Sequence, residues 1–76
     1  MKKHRVEYDS SLDALVALAK RLSSYESKYK ITSEEFFNNL TKGLLEDSED
    51  YIEWANDYQH YVAVRQDLEE LLRNVA

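Results

Sequence analysis

The sequence predicts an all-α protein of three helices with a long C-terminal one, and three observations carry that expectation. The 76 residues include no proline and a single glycine, so almost nothing interrupts a helix once it has started. Apolar residues recur at three- and four-residue spacing through most of the chain, the period of one helix face. Thr32 followed three residues later by Glu35 forms a capping box, a start signal for a helix. With 43% hydrophobic and 12% aromatic residues the chain is too apolar to remain disordered, and residues 1 to 76 are read as one small domain.

At the N-terminus, Lys3 to Tyr8 alternates as a short strand would, and residues 1 to 9 read either as that strand or as an extended basic tail. Helix 1 is expected after a cap at Asp9 or Ser10. Its stripe is Leu12, Leu15, Val16, Ala19 and Leu22, extended by Tyr25 and Tyr29, and it ends near Lys28. Helix 2 starts at the Thr32 box, with Ile31 stapled to Phe36; Gly43 is placed to end it, and it presents Phe36, Phe37, Leu40 and Leu44. Helix 3 is capped by Asp47 or Ser48 and runs over residues 48 to 74, roughly 40 Å. A globule of this length has a radius of gyration of only ~11 Å, so the last turns are expected to overhang the domain. The overhanging part still carries an apolar stripe, Val64, Leu68, Leu71, Leu72 and Val75, that must pack on something.

Length and composition narrow the function. A domain this short buries only roughly 60–65% of its surface and is marginal alone. There is no cysteine to supply disulfides or a thiolate metal site, so a homodimer or another partner is expected to complete it. Met1 to Arg5 is basic, but Val6 to Asp9 does not continue into an apolar segment of signal or membrane-spanning length, so the protein is expected to be cytoplasmic with no membrane association.

Charge is sorted along the chain. Residues 1 to 30 carry seven Lys or Arg against four acids, and residues 31 to 76 carry three against eleven. Between Glu46 and Asp57 there are six acids and no base. Tyr51, Trp54, Tyr58 and Tyr61 follow at spacings of three, four and three, along one side of helix 3. The row is either the seam against helices 1 and 2 or an anchor set for a partner, because Trp and Tyr bury much area at little entropic cost.

Catalysis is not expected. The serines sit in cap or loop contexts, no nucleophile has a base beside it, and no glycine-rich loop awaits a phosphate. Glu53, Asp57 and His60 share a helix face with carboxylate-x-x-His spacing, but no second copy exists elsewhere to complete a metal site, so no metal or cofactor is expected. Lys3 and Arg5 are candidate contacts to phosphates or DNA bases. A strand over Lys3 to Tyr8 followed by two helices resembles the order of ribbon-helix-helix DNA-binding proteins, which read the major groove with a two-stranded ribbon.

A second resemblance rests on Tyr29, the run Ile31-Thr32-Ser33-Glu34-Glu35-Phe36-Phe37, Gly43, Leu45, Asp47-Ser48, Asp50-Tyr51, Glu53-Trp54-Ala55 and Tyr58. This stretch, a little under half of the chain, resembles small helical bacterial antitoxins encoded beside toxin genes; Glu46 departs from it where a second glycine would stand. The resemblance implies a short helical protein, often dimeric, that binds a cognate toxin. With the charge map it gives the expected mechanism, occlusion of a basic toxin by helix 3. Trp54, Tyr58, Tyr61, Leu68 and Leu72 would be the anchors and Glu53, Asp57, Glu69 and Glu70 the charged rim. The alternatives are a DNA-binding regulator of its operator and a purely structural dimerisation module.

Overall fold

The computed structural model describes the backbone of residues 7 to 75 and the side chains of residues 11 to 74. It contains α1 (Glu7–Tyr29), α2 (Ser33–Thr41) and α3 (Glu49–Val75), and the all-α class is as expected. Glu7 to Asp9 lie inside α1, so neither the strand expected over Lys3 to Tyr8 nor the extended tail expected over residues 1 to 9 holds at those three positions. Lys3 and Arg5 lie outside the described residues. No described helix is long and apolar enough to cross a membrane.

The helix ends follow from local chemistry. Thr32 caps α2 in an extended conformation and its Oγ1 accepts from the backbone N–H of Glu35 at 3.1 Å. A further free N–H of that turn, on Ser33, donates to the Glu26 carboxylate of α1 at 2.8 Å, so the start of α2 is fixed to α1. At its other end Gly43 takes φ 75°, its N–H reaches the Leu40 carbonyl and that of Leu44 reaches Asn39, the two bonds of a Schellman motif. Ser48 caps α3 by accepting from the Tyr51 N–H at 3.1 Å. α1 closes without glycine: Lys30 takes φ 61° and its N–H bonds to the Glu26 carbonyl.

α1 and α3 run antiparallel. Arg21, Tyr25 and Lys28, ascending α1 by four and three, meet Asp57, Glu53 and Asp50, descending α3 by four and three. Extended by the same register, the first turns of α1 lie beside the last turns of α3. The expected overhang is therefore reduced, because α1 at 23 residues accompanies α3 nearly to its end. The molecule is long rather than spherical, 42 × 28 × 18 Å with a radius of gyration of 14.6 Å.

α2 is too short to cover this hairpin over its full length. Where it lies, it closes a core of Leu22, Phe36, Trp54 and Ala55, with Tyr25, Tyr29, Ile31, Tyr51 and Tyr58 packed around it. Phe36 stacks flat on the Trp54 indole with centroids 3.8 Å apart and planes 3° from parallel, and Tyr25 and Tyr29 lie near-parallel to the same ring at 5.3 and 5.5 Å. The indole Nε1–H donates to the buried Ser33 hydroxyl at 2.8 Å, so the one polar atom of the ring is satisfied. Beyond α2, Leu18 and Leu68 are still buried between the two long helices, but Leu12 and Val16 are 44% and 54% exposed. The stripe assigned to α1 thus splits, because Leu12 and Val16 sit on the flank that only a third helix could cover.

Candidate protein-binding surface

The seven residues expected to form one partner surface on α3 are distributed over several environments. Trp54 has no exposed surface at all, and Leu68 is buried. Neither can anchor a partner while the fold is intact, which corrects their assignment: the stacked rings and the two-helix seam claim both side chains. Tyr58 and Tyr61 are half-buried and pack on the core cluster, Tyr58 against Phe37 of α2 at 5.2 Å. Tyr61 has the Arg65 guanidinium over its ring at 5.7 Å. Leu72 alone of the apolar anchors is freely exposed, near the far end of α3.

The charged rim divides in the same way. Asp57 accepts two hydrogen bonds from Arg21, at 2.9 and 3.2 Å, a fork-to-carboxylate pair with the acid mostly covered. Glu53 is exposed and accepts from the Tyr25 hydroxyl at 3.3 Å. Both face α1, whereas Tyr58 faces α2, so they lie on opposite flanks of α3 with Trp54 between them. One flat partner cannot touch all seven residues. Glu69 pairs with Arg65 of its own helix at 3.8 Å, and Glu70 is exposed.

Asp50 is held by two donors from α1. It accepts from Lys28 Nζ at 2.8 Å and from the Tyr29 hydroxyl at 2.6 Å, and these bonds hold its carboxyl below the usual carboxylate range. The same bond raises Lys28, and Tyr29 is raised by its bond to Asp50 and by burial. Burial first, then the Glu53 carboxylate, raises Tyr25. The sequence contains the signal for this ladder, the four-and-three spacing of Arg21, Tyr25 and Lys28 matched by that of Asp57, Glu53 and Asp50, and it accounts for these acids without a partner. Ser33 carries no such signal; nothing in its neighbours marks it as the acceptor for a buried indole.

The charge left after this internal pairing lies mostly at one end. Glu34 and Glu35 on α2, and Glu46, Asp47 and Glu49 around the α2–α3 connection, are all exposed and form no ion pair with any described residue. Two open grooves run among them. One, of about 550 Å³, lies between α2 and α3 with Phe37 and Tyr58 as apolar walls and Glu34, Glu35 and Asn38 at its edge. The other, of about 420 Å³, lies at the α2–α3 corner over Tyr29, Leu45 and Tyr51. Glu53, Asp57 and His60 gather no metal-binding group, and none of three or more His, Cys, Asp or Glu exists among the described residues. The arrangement offers apolar recesses with an anionic rim, suited to a cationic partner. No family model matches this chain, and neither a curated protein nor a solved structure matches it.

Proposed function

We propose that the chain is a binding protein that acts as the antitoxin of a two-component module, covering a basic toxin with its acidic end. The observation that carries this reading is the segregation of free charge. From Thr32 to Asp57 there are eight acids and one Lys, and five of those acids stand exposed and unpaired among the described residues beside open apolar grooves. Such a surface attracts a cationic protein and repels nucleic acid and anionic lipid. Against the sequence expectation, the contacting surface is α2 and the α2–α3 connection rather than the length of α3.

The same reading includes a homodimer formed at the opposite end. There Leu12, Val16, Leu71 and Leu72 are exposed among charges of both signs, Asp13, Lys20, Asp67 and Arg73, so a second copy meets no like-charge barrier. The test is co-expression with the product of the adjacent gene, read by growth and by co-purification. The expected result is a neighbour that arrests growth alone and is silenced and retained by this chain; a harmless neighbour that is not retained overturns the antitoxin reading.

A further inference from the structure

The α2–α3 corner carries apolar surface that the fold does not use. Leu44 is 67% exposed, the most exposed large hydrophobic residue of the described chain. It stands directly after the Gly43 turn of the Schellman motif, where an apolar residue ordinarily folds back onto the third-last helical residue. Here that residue is Asn39, which offers no apolar surface, and Leu44 points to solvent. Ile52 is 56% exposed one turn beyond Ser48, the cap that forms a wall of the corner groove. Two residues before the enclosed Trp54, it lies on the far side of α3 from the core.

Between and beside these two residues stand Glu46, Asp47 and Glu49, exposed and without ion pairs among the described residues, and Glu53 follows Ile52. We propose that the corner of Leu44, Leu45 and Ile52, rimmed by Glu46, Asp47 and Glu49, is the docking site for a partner segment that presents an apolar side chain flanked by Lys or Arg. Charge selects the occupant. A second copy placed corner to corner would oppose three acids with three acids and only Lys42 on each copy to offset them, a net like-charge contact that a dimer avoids. An anionic membrane or nucleic acid is repelled for the same reason. A cationic amphipathic segment satisfies both components, its apolar side chain entering over Leu45, Tyr29 and Tyr51 and its bases meeting the rim.

The inference rests on the binding-protein reading and gives it a location. The probe is a fluorescein-labelled 14-residue helical peptide of Leu and Lys, titrated with the full chain and followed by anisotropy. The variants are Leu44→Ser with Ile52→Ser, Glu46→Lys with Asp47→Lys, and as controls outside both proposed surfaces Ala63→Ser and Glu69→Lys with Glu70→Lys. All alter exposed side chains, and circular dichroism verifies their helix content. Both corner variants are expected to weaken binding on the order of tenfold, and the controls by less than about twofold. Equal weakening by the controls, or unchanged binding by the corner variants, overturns the proposal. So does sedimentation showing that the Leu44→Ser, Ile52→Ser chain has lost a dimer the native chain forms, since the corner would then be a self-interface. Growth rescue by the corner variants in the co-expression assay separates the two readings: rescue retained with peptide binding lost leaves the antitoxin reading standing on another surface.

Discussion

The two ends of the hairpin are built from the same kind of helix and differ in one respect, whether α2 lies across them. Leu22 and Leu12 belong to one α1 stripe, yet Leu22 is buried beneath α2 and Leu12, beyond it, is exposed. On α3, Trp54 is enclosed at the covered end, and Leu72 is exposed at the open one. Two helices can bury only the seam between them, and a third layer is needed to turn the flanking positions into core. Amphipathic spacing therefore specifies which residues can be buried, and the length of a nine-residue helix decides which ones are.

The difference should appear first in stability. Replacing Trp54 by Ala removes the ring on which Phe36, Tyr25 and Tyr29 stack, and about 3–5 kcal/mol is expected. That is a large share of the roughly 4–11 kcal/mol available to a chain of this size, so the variant should unfold at a much lower urea concentration when followed by circular dichroism. Leu72→Ala at the open end is expected to cost the monomer no more than about 0.5 kcal/mol, measured at protein concentrations too low for a dimer to form. Similar midpoints for the two variants would break the comparison.

Ser33→Ala sharpens it by testing polarity inside the covered end. The indole N–H would lose its acceptor in a buried site, at an expected cost of about 1–3 kcal/mol. In a Trp54→Phe background there is no N–H to satisfy, so the same substitution should cost much less. A double-mutant cycle in urea measures that coupling, and additive effects would show that Ser33 acts through packing alone.

Much of the fold is readable in the chain, and the failures have physical causes. Thr32, Gly43 and Ser48 announce helix ends through local chemistry, which needs no tertiary information, and all three boundaries are observed within a residue or two. Which side of α3 becomes core depends on where a nonlocal helix lands, so the spacing names Trp54 as an aromatic anchor without placing it inside. The surplus of acids after residue 30 is visible in the sequence, but only the antiparallel register shows that Arg21 and Lys28 take Asp57 and Asp50 out of the partner surface.

The two interhelix turns offer a smaller test. Gly43 takes its positive φ with nothing within 4 Å of where a Cβ would stand, so Gly43→Ala should carry only the conformational cost, about 1–2 kcal/mol. Lys30 already bears that cost at φ 61°, and Lys30→Gly should gain up to about 1 kcal/mol, offset in part by the freer unfolded chain. Thermal midpoints moving in opposite directions is the expected outcome.

The smallest effect belongs to Asp50, whose ladder ties α1 to α3 at the covered end. Its carboxyl is held low by Lys28 and Tyr29, so its stabilisation is fully present above the ordinary carboxylate range and is lost as pH falls through the lowered folded value. Lys28 and Tyr29 are held high, so their share is present below their ordinary values and is lost as pH rises through the raised ones. Asp50→Asn should therefore be less stable than the native chain near neutral pH, with the gap closing in acid and again in strong alkali. Lys28 and Asp50 are 63% and 37% exposed, so salt should narrow the gap as well. Urea midpoints at several pH values and two salt concentrations measure it. A gap that persists unchanged in acid would mean that Asp50 acts by its shape and its bond to the Tyr29 hydroxyl, and that charge pairing between α1 and α3 adds nothing to the covered end.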